Sequence, residues 1–183
     1  MTRIILASKS PRRQELMREA FGEVQVVSRD VDERCNYVKP SNIVKYLAQL
    51  KMADLDQQFS SDIVLSADTI VYMDGKVYGK PHTKEVAHQF LRELSGKTHC
   101  VYTGVCISYQ GKRQTFYDKS YVTFLDMTDE MIDDYIDAND PLDKAGAYGI
   151  QDKQVVKSYT GSYTNIVGLP MEKVEQAIRS IKK

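Results

Sequence analysis

Apolar and polar residues alternate along several short segments of the chain, which predicts β-strands separated by amphipathic helices. Apolar residues that recur every second position predict strands at residues 3–7, 23–27, 62–72, 98–109, 114–125, 155–159 and 163–167. Apolar residues that recur every third or fourth position predict helices at residues 11–20, 41–57, 83–94, 128–138 and from Pro170 onwards. The segment 29–39 is polar and irregular, which indicates a loop.

The order of these elements indicates the fold class. Strands alternate with helices, and the Asp74-Gly75 pair is typical of a hairpin turn. This combination predicts a mixed α/β fold, with a mixed twisted sheet flanked by helices, instead of a purely parallel sheet. Since no internal repeat or low-complexity linker interrupts the pattern, we expect a single domain over residues 1–183.

Composition excludes several classes of protein. The 25 Lys and Arg balance the 25 Asp and Glu, and 42% of the residues are hydrophobic, so the chain is not of the disordered type. We expect no membrane association, because no apolar run approaches the ~20 residues that span a bilayer. Three irregularly spaced cysteines favour a reducing, cytoplasmic location. Zero net charge makes a dedicated nucleic-acid partner an unfavoured interpretation.

The segment Ser8-Lys9-Ser10-Pro11-Arg12-Arg13 joins the first predicted strand to the first predicted helix. Ser10 is suited to cap this helix and Pro11 to occupy its first position. Free backbone N–H groups at a helix start attract anions, and arginine matches phosphate oxygens in a bidentate manner. The concentration of hydroxyls and cations at a strand–helix junction predicts a phosphate-binding loop, in preference to an ordinary capped helix with solvated arginines.

Lys51 lies in the middle of an apolar stripe on the predicted helix 41–57. The stripe is formed by Val44, Leu47, Ala48 and Leu55. A lysine on a buried face is expected to pair with an anion, because an unpaired buried charge is very costly. Alternatively its stem packs on the stripe while the ammonium group reaches water. The spacing alone leaves both interpretations open.

Asp68 stands inside a predicted strand, where aspartate is unusual. Alternation places Ser66 and Asp68 on one face of this strand. Such a carboxylate needs a cation, a metal or a proton-transfer role, and a structural ion pair is the alternative. The loop residues Asp32 and Glu33 add carboxylates, and Lys80 adds a cation beside a turn.

The segment 140–151 contains two glycines three residues apart, Gly146 and Gly149, which allow the backbone to approach a ligand closely. Gln151 at its end can donate and accept hydrogen bonds at once, which suits the edge of a nucleobase. Without further information a purely structural loop is the favoured interpretation of this segment.

Taken together, these motifs resemble those of the Maf (septum-formation) proteins, a family of nucleoside triphosphate pyrophosphatases, over essentially the full chain. The matching stretches are residues 5–13, 32–33, 67–69, 79–81, 94–99, 141–151 and 167–170. The Asp-Lys-Ala-Gly-Ala-Tyr-Gly-Ile-Gln run at residues 143–151 is similar to the branch that prefers dTTP and UTP. Lys9 departs from the pattern, because many members have a small residue there.

The resemblance implies an elongated, two-lobed α/β molecule with a central cleft, of the Maf and ITPase-like kind, often dimeric. It implies hydrolysis of dTTP and UTP, with CTP or modified pyrimidine nucleotides as further candidates, to the monophosphate and pyrophosphate with the help of Mg²⁺ or Mn²⁺. It also implies links to nucleotide-pool sanitation and to cell-division arrest. A non-catalytic nucleotide-binding regulator of septum formation is the alternative.

The resemblance also implies roles for individual residues. Asp68, Glu33 and Lys51 are expected to be catalytic, and Glu33 and Asp68 to hold the divalent metal. The residues expected to bind substrate or set specificity are Ser8, Arg12, Arg13, Thr69, Lys80 and Gln151. This set agrees with the chemistry of the reaction, which needs an activated water and cations that neutralise the phosphate oxygens.

Overall fold

The computed structural model describes residues 2–183, which form one mixed sheet flanked by helices. The strands are β1 (Ile4–Ala7), β2 (Gln25–Val26), β3 (Ile63–Met73), β4 (Lys76–Tyr78), β5 (Thr98–Tyr109), β6 (Lys112–Phe124) and β7 (Val156–Thr160). The helices are α1 (Pro11–Phe21), α2 (Pro40–Met52), α3 (Leu55–Gln58), α4 (Lys84–Leu94), α5 (Asp129–Asn139), α6 (Tyr163–Val167) and α7 (Met171–Ile181). Two 3₁₀ turns, Pro141–Asp143 and Ala145–Ala147, follow α5. The predicted mixed α/β class is confirmed.

The strand order is β2-β1-β3-β5-β6-β7, and β4 forms a hairpin with β3. β2, β1 and β3 run parallel to one another. The pairs β3–β5, β5–β6 and β6–β7 are antiparallel. The long β3, β5 and β6 strands therefore run through the whole molecule and connect its two halves.

The helices divide the sheet into two lobes. On one face, α1 and α7 pack against Leu65, Ala67 and Val105 in the first half of the sheet. Further along the same face, α4 and α5 pack against Val71 and Val101 in the second half. A cleft lies between these two clusters. The opposite face is covered by α2 and α3, which pack against β1 and the first half of β3.

Two predicted elements were wrong. Residues 163–167 form helix α6, not a strand, because the Ser162 side chain caps the first turn by accepting a hydrogen bond from Asn165 N and the chain turns away at Gly168. The predicted helix 41–57 is interrupted: α2 ends at Met52 because Ala53 has a φ of 36°, and α3 follows as a separate turn. Helix α2 also begins one residue earlier than predicted, with Pro40 in its first turn and Lys39 at the N-cap.

Among residues 2–183, no helix combines the length and the apolar character needed to cross a lipid bilayer. The free cysteines, Cys35, Cys100 and Cys106, form no disulfide within this range.

Candidate active site

The site forms at a gap along one edge of β3. β1 pairs with β3 as far as Ser66, and β4 pairs with it only from Val71 onwards. Within the described part of the chain, residues 67–70 of β3 therefore have a strand neighbour only on the β5 side. The cleft between the lobes meets β3 at this gap, which exposes both Asp68 and Thr69 to it.

Helix α2 reaches the sheet by direct backbone contact. A Cβ built on Gly104 of β5 would lie 2.1 Å from Val44 O, so only glycine allows this approach. Ser66 Oγ donates a hydrogen bond to Ala48 O at 2.6 Å, one turn further along α2. Since Gly104 is paired with Asp68 in the sheet, these two contacts bring the next turn of α2, with Lys51, beside Asp68.

Lys51 connects two carboxylates. Its Nζ lies 2.5 Å from Asp68 Oδ1 and 3.0 Å from Glu33 Oε1. Asp68 is only 7% exposed, whereas Glu33 is exposed on the irregular loop between β2 and α2. Of the two interpretations of Lys51, pairing with an anion is the one that the structure confirms.

Arg13 is a buried cation that organises the base of the cleft. Its Nε donates to Gly168 O at 2.7 Å, and its Nη1 donates to Ala67 O at 3.0 Å and to Ser8 Oγ at 3.4 Å. Its Nη2 donates to Thr69 Oγ1 at 2.9 Å. These four bonds join the loop of residues 8–13, the gap in β3 and the C-terminal segment.

No carboxylate lies within salt-bridge distance of Arg13 in the described residues, and burial lowers its pKa. A guanidinium remains charged in proteins despite such a shift. Its charge therefore leaves the base of the cleft positive, which favours an anionic ligand.

The predicted start of α1, at the end of the loop of residues 8–13, is confirmed. Ser10 is the N-cap of α1 and accepts a hydrogen bond from Arg13 N, and Pro11 follows it in the first turn. Ser10 N donates to Ser8 Oγ at 3.2 Å, which closes the loop on itself. Lys9, the residue that departs from the family pattern, lines the cleft, and its Nζ lies 2.7 Å from Asp30 Oδ1.

Three further candidate residues surround the cleft from other elements. Arg12 faces the 3₁₀ turns, and its Nη1 lies 3.7 Å from Asp143 Oδ2. Lys80 is exposed after β4, and it makes no salt bridge within residues 2–183. Gln151 lies on an exposed turn that forms part of the wall of the cleft. Arg12 and Lys80 are long cations with room to move toward a ligand.

The segment that precedes Gln151 is closely packed on the second lobe. Gly146 has a φ of 70°, and a Cβ there would lie 2.8 Å from Val71 Cγ2. The Tyr148 hydroxyl contacts His99 Nε2 at 2.7 Å in the interior. Burial lowers the pKa of His99 to about 4 and raises that of Tyr148, so both groups are neutral near pH 7.

The candidate residues line two adjoining cavities. The first has polar walls and an apolar part, formed by Val71, Val101, Ile150, Ile166 and Val167, and the second is mostly polar. Arg13, Lys51 and Lys80 line both and mark the junction. All nine residues singled out from the sequence line one or both: Ser8, Arg12, Arg13, Glu33, Lys51, Asp68, Thr69, Lys80 and Gln151.

Sequence reasoning missed some residues of the site. Lys144 and Tyr148 line the first cavity from within the segment 140–151, where the sequence drew attention only to the glycines and Gln151. Gly168, whose carbonyl accepts from Arg13, had only its place in a matching stretch as a signal. Gly104 had no signal, because it acts through contact with a helix distant in sequence.

Two carboxylates that contact one Nζ form a candidate position for a divalent cation. Mg²⁺ is commonly held by one or two carboxylates together with substrate phosphates, so Glu33 and Asp68 suit it chemically. Among residues 2–183, no group of three His, Cys, Asp or Glu side chains is placed to hold a metal alone. These residues fit a metal that enters with a phosphorylated substrate.

The fold and the cleft together define a class of protein: an α/β protein with an acidic pair and several cations arranged around a two-part cleft, suited to a phosphorylated ligand with an apolar or aromatic group. Comparison with known proteins identifies the family. Residues 3–181 match the family of Maf-like proteins, and the chain belongs to this family.

Curated relatives carry the name dTTP/UTP pyrophosphatase. The protein of that name from Bacillus mycoides (strain KBAB4) is 44% identical over 182 residues, which cover 98% of this chain and 95% of the relative. The protein of the same name from Bacillus anthracis is also 44% identical over the same shares. Among solved structures, the Staphylococcus aureus Ham1 protein is similar in fold, with a TM-score of 0.51 over 68% of this chain and 73% of that chain, at 14% identity.

Proposed function

We propose that this protein hydrolyses dTTP and UTP to the corresponding monophosphate and pyrophosphate. The observation that carries the proposal is Lys51, held between Asp68 and Glu33 at the junction of a partly apolar cavity and a mostly polar one. The base and sugar fit the apolar part, and the triphosphate fits the cation-lined part. The full-length similarity to dTTP/UTP pyrophosphatases supports the same substrate class.

In the proposed reaction, water attacks the α-phosphorus and the bond from that phosphorus to the bridging oxygen breaks, so that pyrophosphate leaves. Asp68 orients the water and accepts its proton. Lys51 stabilises the charge that develops on the phosphate oxygens and holds the Asp68 carboxylate in place. A divalent cation held by Glu33 and Asp68 would supply further charge neutralisation and lower the pKa of a bound water.

The remaining cations act by position. Arg12 and Lys80 contact the phosphates from opposite sides of the cleft, while Ser8 and Arg13 set the shape and positive charge of its base. Thr69 and Gln151 lie on the nucleoside side, where Gln151 forms hydrogen bonds with the base edge. Phosphoryl-transfer catalysis depends mostly on such positioning and electrostatics.

A nucleotide panel tests the proposal. Each ribo- and deoxyribonucleoside triphosphate is incubated with the protein and Mg²⁺ or Mn²⁺, and pyrophosphate and orthophosphate are measured separately. We expect pyrophosphate from dTTP and UTP, no orthophosphate, and loss of activity with a chelator. Nucleotide binding without turnover under every metal condition would contradict the proposal and favour the non-catalytic regulator.

We also propose that the protein forms a homodimer, as the family resemblance implies. Light scattering coupled to size-exclusion chromatography measures the molar mass directly. A mass of twice the 20.9 kDa chain is expected, and a concentration-independent monomer would contradict it.

A further inference from the structure

The turn that carries Gln151 is closed by Asp152, the next residue. Asp152 N donates to Gly149 O at 3.0 Å, and Gly149 N donates to Asp152 Oδ2 at 2.9 Å. Main chain and side chain therefore close the same short turn. The same Oδ2 accepts a second hydrogen bond, from the Tyr135 hydroxyl of α5, at 2.5 Å.

Tyr135 anchors this turn to the core of the second lobe. It is 2% exposed and belongs to the cluster formed by α4, α5 and the sheet. Burial, followed by the neighbouring Asp152 carboxylate, raises the pKa of Tyr135, so its hydroxyl stays protonated and donates throughout the neutral range. Neither Tyr135 nor Asp152 belongs to the lining of the cleft, so any effect on substrate passes through the turn.

The Gln151 amide is folded back over this turn. A Cβ built on Gly149 would lie 2.6 Å from Gln151 Nε2, so the amide occupies the space that a side chain at Gly149 would fill. Where the amide lies therefore depends on where Gly149 lies. Gly149 is in turn fixed by its two hydrogen bonds with Asp152.

We propose that Asp152 and Tyr135 are positioning residues for base selection, which hold the Gln151 amide where it distinguishes uracil and thymine from cytosine. The inference rests on the proposed function. Uracil and thymine present an N–H between two carbonyl oxygens, whereas cytosine presents an unprotonated ring nitrogen beside an amino group. A glutamine amide matches either pattern if it can reorient, so discrimination requires that its position be restricted.

Two substitutions remove this restriction without touching the cleft. Tyr135→Phe deletes the hydroxyl donor, and Asp152→Ala deletes the oxygen that accepts from both Tyr135 and Gly149. The values of kcat and KM are measured for UTP, dTTP and CTP. In both variants we expect the ratio of kcat/KM for UTP to that for CTP to fall about fivefold, mainly through KM for UTP, with kcat changed less than about twofold.

A double-mutant cycle with Gln151→Ala separates positioning from a general structural effect. Once Gln151 is alanine, adding Tyr135→Phe should leave the UTP/CTP ratio unchanged. Tyr109→Phe, at the far end of β5, is the matched control and should leave all three substrates unaffected. Asp152→Ala provides the same readout if Tyr135→Phe fails to fold.

The outcomes are distinct. An unchanged UTP/CTP ratio in folded Tyr135→Phe and Asp152→Ala, with the wild-type protein active, would overturn the positioning role and leave the proposed function standing. The positioning role would also be overturned if Tyr135→Phe lowered the UTP/CTP ratio as much in the Gln151→Ala protein as in the wild type, because the effect would not pass through Gln151. A wild-type protein without nucleotide hydrolysis would overturn the proposed function and this inference together.

Discussion

Replacing Gly104 by alanine should disturb the catalytic arrangement from a distance. The added Cβ would lie 2.1 Å from Val44 O, 2.3 Å from Val44 C and 2.7 Å from Lys45 N. These are backbone atoms of α2, so no side chain can rotate away to make room. The helix must move off the sheet by about 1 Å to restore ordinary van der Waals separations.

The expected magnitude has a stability part and a catalytic part. Overpacking a closely packed contact costs about 1–3 kcal/mol, and a clash with backbone places Gly104→Ala near 3 kcal/mol. The bond from Ser66 Oγ to Ala48 O weakens as the helix moves. Lys51 travels with the helix, and a displacement of about 1 Å in a catalytic group can reduce the rate about 10²-fold.

Urea unfolding and steady-state kinetics with dTTP measure the two parts separately. Gly79→Ala is the control, because a Cβ at Gly79 meets no atom within 4 Å and its φ is not in the left-handed region. The midpoint of urea unfolding of this control should equal or slightly exceed that of the wild type. If Gly104→Ala unfolded like wild type and hydrolysed dTTP at the wild-type rate, the argument that this contact sets the position of Lys51 would be refuted.

Three further predictions address the carboxylate, the lysine and the interior histidine. Asp68→Asn should lower kcat by at least about 10²-fold, whereas Asp62→Asn, immediately before the same strand, should cost stability only. Wild-type turnover in Asp68→Asn would refute the assignment. Lys51→Met should raise KM or lower kcat while circular dichroism stays native, and a change confined to Tm would make Lys51 structural. Because burial lowers the pKa of His99 from 6.5 to about 4, the unfolded chain binds the proton first as the pH falls. The free energy of unfolding should therefore decline from pH 6.5 to pH 4, by up to about 1.4 kcal/mol per pH unit, and equal slopes for wild type and His99→Gln would contradict this.

Local sequence signals were sufficient for much of the fold. The strand–loop–helix start at Ser10 and Pro11 was predicted because capping depends on neighbouring residues only. The error at residues 163–167 has the opposite cause: alternating apolar residues suggested a strand, and the Ser162 cap with the following Gly168 decided for a short helix. The break at Ala53 was also missed, since alanine gives no sequence signal for a positive φ.

For the candidate site, the residue types were predictable and their partnerships were not. Asp68 and Lys51 were each singled out as charges in apolar surroundings, yet nothing in the sequence paired them. Arg13 was expected at the phosphates, and the structure adds hydrogen bonds to Ala67 and Gly168. Such pairings depend on contacts between distant segments, which a single sequence does not encode locally. The catalytic roles, the metal, the dimer and the cytoplasmic location stay predictions.

The hydrogen bond from Arg13 to Gly168 has a consequence for biosynthesis, since it joins residues 155 positions apart. Translation delivers the loop of residues 8–13 first, and the carbonyl that receives this guanidinium is made 155 residues later. Until that carbonyl is available, the Arg13 guanidinium lacks one of its acceptors and must stay hydrated. A ribosome-bound nascent chain that stops before residue 168 should therefore lack the complete base of the cleft.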